Sequence, residues 1–287
     1  AFQTAMPEYA AWRSSARFCC YCLGLVFCGL HLLALPKNRQ PVPELSQAAA
    51  FDLLHQLRSL RLASDVYVEF ELESLPRNAA TSRTRGRLAW SWNERGLIQR
   101  LVLLPTADTA SHSTTREWIL HGGPQSRAWM RTGSQAFEPI YGLALLQPLT
   151  PDGLFSVFDF LMPYIHWQSF RYEEAGRLKS RDVHYISLLA PKSDPFDGMV
   201  PRVRLALDAR YAVPLSIKRY DHQGRLQWEQ KIESIQKIDG QYVPKQYLIK
   251  STLTGDRERF VMRAVKLQAP LDPQLFDPAF SSSMPQL

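Results

Sequence analysis

The sequence predicts a mainly β fold with a few helices, a curled antiparallel sheet whose helices plug its concave side. Three observations carry this prediction. From Val66 onward apolar residues recur with a period of two, the spacing of half-buried strands. Short polar turns separate successive runs, which makes an antiparallel meander. Only two stretches, 47–61 and 150–162, carry the three-and-four spacing of helices. About ten or eleven strands in one sheet must curl, close or be covered, and two or three helices cannot cover both faces of a flat sheet.

Composition narrows the classes. The chain has 287 residues, 45% of them apolar or aromatic and 21% charged, which supports a real core and excludes a disordered chain. Residues 1–36 read as an export signal or a membrane anchor. Arg13 and Arg17 precede an apolar run from Phe18 to Leu35, which Pro36 stops. The run is long for a secretory signal and short for a span, so cleavage and retention both stay open. The small residues near Ala34 and at Ala48–Ala50 are poor cleavage sites, which favours an uncleaved anchor. Phe27 stands before Cys28, where lipidation would need a small residue. All four cysteines (Cys19, Cys20, Cys22, Cys28) lie in this run, so the remainder has neither a disulfide framework nor thiol chemistry. Residues 37–287 read as a single domain with a net charge of +6, its arginines spaced as on the solvated face of a sheet. With an export signal in place, a nucleic-acid partner is not expected.

The elements follow in order. Residues 47–61 place Ala50, Leu53, Leu54, Leu57 and Leu60 on one helical face. Val66, Val68, Phe70 and Leu72 alternate with Tyr67, Glu69, Glu71 and Glu73 as a strand. Residues 74–83 form a loop. Residues 87–92 and 97–104 make a hairpin around Asn93–Gly96, and residues 117–121 and 127–131 make another around Gly122–Pro124. Phe137–Leu146 is apolar with no clear period. Thr150-Pro151-Asp152-Gly153, followed by Leu154, Phe155, Phe158, Leu161 and Met162, reads as a capped amphipathic helix that Pro163 ends. Strands then run through Val203–Leu207, Val213–Ile217, Leu226–Ile232, Tyr247–Ile249 and Phe260–Met262.

Catalytic motifs are missing. There is no G-x-S-x-G, H-E-x-x-H or P-loop, and the seven histidines are dispersed. Asp159 and His166 are an acid–base pair by type alone; a polar helix face and an interfacial histidine account for them better. The chain is expected to be no enzyme, with no metal and no cofactor.

Five ordered segments carry a resemblance. Leu154–Leu161 with Tyr164-Ile165-His166-Trp167 is similar to a helix with an aromatic exit. Tyr211–Ile217 is similar to a strand entry with Pro-Leu, and Tyr220–Leu226 to a Y-D-x-x-G-x-L hairpin. Ile238–Pro244 follows an I-D-G-x-W-V-P pattern with Tyr242 in the Trp place, and Leu271–Phe276 follows L-D-x-x-L-F. Together they resemble the outer-membrane lipoprotein-sorting proteins of the LolA/LolB superfamily. The resemblance implies an unclosed half-barrel with helices lidding an apolar cavity. It further implies a monomeric periplasmic carrier of lipoprotein acyl chains or lipid in a Gram-negative-type envelope. Burial of an acyl chain is worth about 0.8 kcal/mol per CH₂, so a concave apolar surface suffices without catalytic geometry. The candidate cavity residues are the expected inward positions Trp90, Trp92, Leu101, Leu103, Trp129, Phe155, Phe158, Leu161, Val203, Leu205, Trp228 and Phe260. The competing reading is an envelope sensor or a subunit of an inner-membrane complex, tethered by residues 18–35. That reading expects a filled half-barrel with an exposed apolar patch.

Overall fold

The computed structural model describes residues 41–61, 64–105, 114–239, 241–280 and 284. Ahead of these it pairs only Cys20–Tyr21 with Gly24–Leu25. The proposed signal or anchor at 1–36 otherwise lies outside the described residues.

Helix α1, Gln47–Ser59, begins where the Ser46 hydroxyl accepts the Ala49 N–H, and it buries Ala50, Leu53, Leu54 and Leu57. Thirteen strands follow in one antiparallel sheet. The first six are β1 (Val66–Leu75), β2 (Ser82–Asn93), β3 (Gly96–Leu103), β4 (Arg116–His121), β5 (Arg127–Thr132) and β6 (Glu138–Ile140). The last seven are β7 (Ser169–Leu178), β8 (Arg181–Leu189), β9 (Arg202–Asp208), β10 (Pro214–Tyr220), β11 (Leu226–Ile238), β12 (Gln241–Ser251) and β13 (Arg257–Leu267). The spatial order is two meanders joined at the centre. β6 to β1 run inward from one edge, β7 to β13 run inward from the other, and β1 pairs with β13. The sheet is unclosed, with β6 and β7 as its edges.

One core explains the curl. Trp118 and Ala128 from one wing, and Ile186, Leu188 and Leu205 from the other, join the same cluster as Phe155, Phe158 and Phe160. Those phenylalanines lie in the segment 141–168, which connects edge β6 to edge β7 across the concave side. That segment and α1 form the plug, as expected from the sequence. On the convex side, Leu271 to Phe276 cover Tyr67, Ala89 and Ile98. The closing L-D-x-x-L-F segment is therefore a patch on the outside of the sheet. Arg100, fully buried there, donates to the Leu275 carbonyl at 3.2 Å and to Glu117 at 2.5 Å.

Three local expectations change. The helix expected from Thr150 is only Val157–Leu161 (α2), capped by Ser156 and Asp159. Residues 150–155 are held as a loop instead, because the buried Glu258 carboxylate takes the N–H groups of Leu154 (2.5 Å) and Phe155 (2.6 Å). Phe137–Leu146 resolves into β6 and a 3₁₀ turn, Gly142–Leu146. The β7–β8 hairpin was not anticipated. β7 alternates only between half-buried and exposed residues, as an edge strand does, and the turn is Lys179-Ser180, with none of the usual Gly or Asn.

Candidate functional site

The plug is pinned by buried charge. Asp159 closes a capping box on α2, accepting the Ser156 N–H at 2.8 Å and its hydroxyl at 2.7 Å. Its other oxygen accepts from Arg219, whose guanidinium carbon is 4.6 Å from the centre of the Phe158 ring and 4.0 Å from that of the Trp228 ring. Burial pushes the Asp159 carboxyl up against the pull of Arg219. Burial also raises Glu258, to about 7, against the N–H bonds of Phe155 and Leu154. Gly153 fits under this carboxylate because it lacks a side chain: a Cβ there would stand 2.9 Å from Glu258 Oε1. The Asp159 contacts belong to the capping box and Arg219, so Asp159 and His166 act in different places.

Eleven of the twelve residues singled out from the sequence meet in this one packed core. Trp90, Leu101, Leu103, Phe155, Phe158, Leu161, Val203, Leu205, Trp228 and Phe260 are buried there, and Trp92 packs against it half-buried. Their rings touch one another: Phe70 stacks on Phe260 at 4.4 Å, and Phe155 meets Phe260 edge-on at 5.9 Å. Trp129 stands apart. It is opposite Ile119 in the ladder, on the other side of the strand from Ala128 and Met130, with its ring edge-on to His121 at 4.9 Å.

Open space lies at the mouth, where the two edges of the sheet face each other. A cleft of ≈ 690 Å³ runs between the β4–β5 and β6 end of one wing and the loop 190–201 of the other. Trp129, Ile140, Leu145, Pro163, Trp167 and Phe196 line it, with Gln125, Arg127 and His166 among its polar groups. Of the twelve sequence candidates only Trp129 is in this lining. The two lips meet where Gly142, at φ +59°, comes against Pro195. Trp167 Nε1 donates to Asp194 Oδ2 at 3.1 Å, and Asp194 Oδ1 takes the Phe196 N–H at 2.8 Å, which sets the far lip. Phe196 then meets Phe158 edge-on at 4.7 Å, so the floor of the cleft is continuous with the plug. Arg58 of α1 donates to the carbonyls of Ile165 (2.6 Å) and Trp167 (2.9 Å) and fixes the near lip. Burial, with Arg58 beside it, drives His166 down to about 4, so its imidazole is neutral at ordinary pH. Tyr141, Leu143 and Met199 are exposed on the rims, at 75%, 50% and 60%.

Sequence reasoning missed most of this lining because it lies in irregular backbone, where neither period applies. The signal available was the aromatic exit Tyr164-Ile165-His166-Trp167 and the unperiodic Phe137–Leu146 run.

Compared with known proteins, the chain matches no family model and no curated sequence. Solved structures do match. An outer-membrane lipoprotein-sorting protein domain from Vibrio parahaemolyticus superposes with a TM-score of 0.66 at 17% identity, covering 79% of this chain and 95% of that one. A LolA superfamily protein from Nitrosomonas europaea gives 0.58 at 18% identity, covering 79% and 96%. The fold is LolA-like. A DUF1329 family protein from Desulfovibrio piger shares it, with a TM-score of 0.68 at 14% identity over 83% of this chain and 98% of that one. The LolA-like half-barrel inferred from the five sequence segments is thus the observed fold.

Proposed function

We propose that this protein is a non-enzymatic periplasmic binder or carrier of acyl chains, from lipoproteins or lipid, acting as a monomer. Residues 37–287 serve as one LolA-like unit behind an export signal or anchor in 1–36. The single observation that carries the reading is the apolar cleft at the unclosed mouth. Its ≈ 690 Å³ lies within the range of about 300–1,000 Å³ of small-molecule sites, and its walls are aromatic and aliphatic with a few polar groups at the edge. The LolA-like fold supports the same reading. The ligand sits on Trp167 and Phe196 and is flanked by Trp129, with the buried phenylalanines as floor.

A specific observation favours a second reading, a tethered module that binds protein. The concave side is packed with side chains, and the exposed Tyr141, Leu143 and Met199 form an apolar rim. Native mass spectrometry with lipid extraction separates the two. The full chain, expressed into a periplasm, is expected to carry stoichiometric acyl-chain adducts that a Phe196→Ser/Leu145→Ser variant loses. A folded wild type of clean apo mass would overturn the carrier reading and leave the protein-binding one.

A further inference from the structure

A second groove, of ≈ 410 Å³, lies where β11 outruns its neighbour β10. β10 opens at Pro214, which has no N–H to donate, and its ladder with β11 starts only at Ser216 opposite Lys231. β11 continues to Ile238 on the strength of β12 alone. Among the described residues no strand pairs with the β10-side flank of residues 233–238. The tip of the β7–β8 hairpin reaches over this flank instead, and Lys179 Nζ donates to the Ile232 carbonyl at 3.0 Å.

The groove has an apolar floor and a cationic rim. Leu178, Leu215, Ile232 and Ile235 supply the floor. Ile235 is 44% exposed, beside a double register shift at Ser234 in β11, the kind of bulge that re-aims a side chain. Lys179, Arg181, Lys231 and Lys237 stand around it, against one carboxylate, Glu233. Glu233 is itself drawn away by Arg259 at 2.8 Å, while Arg181 leans on Asp208 and Lys231 on Glu229. Lys179 and Ser180 hold φ of +48° and +65°, a tight turn that Gly, Asn or Asp would enter with less strain. A lysine there accepts that strain and carries its ammonium over the groove.

We propose that this groove binds a single-chain anionic amphiphile. The acyl tail lies on Leu178, Leu215, Ile232 and Ile235, and the carboxylate or phosphate head sits beside Lys179. The floor explains the tail and the excess of cations explains the sign of the head, since charge-assisted bonds to ammonium are the strong ones. The volume suits one small ligand and is small for a folded partner. This site shares no lining residue with the mouth cleft and stands independently of it.

The test is calorimetric titration of the full chain with laurate, dodecyl phosphate, dodecyl maltoside and inorganic phosphate. Laurate and dodecyl phosphate are expected to bind at least about tenfold more tightly than the neutral maltoside, a difference of about 1.4 kcal/mol. The stronger of the two names the head group. Lys179→Gly removes the ammonium at a backbone position that suits glycine. It is expected to cost the anionic probes about tenfold while the thermal midpoint does not fall. Ile235→Asp is expected to abolish the binding that distinguishes anionic from neutral probes, and Leu253→Ser, exposed and outside both linings, to change neither anionic probe. Four results would overturn the proposal. They are equal affinity for maltoside and laurate, inorganic phosphate binding as well as dodecyl phosphate, laurate binding lost on Trp129→Ala but kept in the groove variants, and no binding at millimolar probe.

Discussion

The interior of the half-barrel and its mouth are built from the same residue types and end in opposite states. Inside, Phe155, Phe158, Phe160 and Phe260 are fully buried; Phe155 and Phe160 meet Phe260 edge-on, and Phe158 meets Tyr164 and Phe196. At the mouth, Tyr141, Leu143 and Met199 stay in solvent around an apolar cleft. Apolar character is therefore a poor guide to a binding surface in this fold. What separates the regions is cover: the segment 141–168 and α1 close the interior, while the cleft between β6 and the loop 190–201 stays open beside the Gly142–Pro195 contact.

Substitutions can break or sharpen this contrast. The largest effect is expected inside. Phe158→Ala should cost about 3–5 kcal/mol of stability, read by chemical denaturation, because its neighbours Tyr164, Phe196 and Arg219 cannot collapse into the space. A loss below about 1 kcal/mol would mean the plug is loosely seated. Gly86→Ala comes next, at about 1–3 kcal/mol, since a Cβ there would stand 2.2 Å from Phe70 Cζ and 2.6 Å from the Val102 carbonyl oxygen.

Glu258 gives a pH signature of the interior. Its folded carboxyl keeps a proton up to about 7, against 4.5 for a free one. The folded state therefore binds more protons between those values, and stability should fall as pH rises through that window. Glu258→Gln has no proton to lose and is expected to flatten this part of the stability–pH curve. An unaltered slope would assign the dependence to another group. The smallest stability effect belongs to the mouth: Leu143→Ser should shift stability by no more than about 0.5 kcal/mol. Lipid copurification should fall in the same variant if the rim contacts the ligand, and an unchanged yield would confine binding to the deeper walls.

Periodicity made the sheet legible in advance. Val66 to Leu72 and Val203 to Leu207 lie where the alternation put them, and the hairpin expected at Tyr220–Leu226 joins β10 to β11. The inward positions were legible as well, though they were named as cavity lining; eleven of those twelve residues pack in or against the core. The mouth was not. Ile140, Trp167 and Phe196 sit in a strand of three residues, a 3₁₀ exit and a loop, whose positions depend on Asp194, Arg58 and Gly142 contacts made across more than twenty residues of chain. Glu258 illustrates the same limit. In sequence it is one charge on an alternating strand, and only the fold brings the loop 150–155 onto it. The short α2 in place of a longer helix follows from that one carboxylate.

The central pairing of β1 with β13 has a consequence for how the chain comes to be folded. Phe70 lies opposite Met262, so the seam in the middle of the sheet joins residues about two-thirds of the chain length apart. Each wing can zip by local hairpins, which form in microseconds. The seam must wait for its last strand, and the loop it closes is the longest in the molecule. Such distant pairing belongs to slow folders, in milliseconds to seconds. A chain threaded through a membrane from its N-terminus would thus cross before its sheet could lock, with two half-made wings and no finished core until β13 arrived.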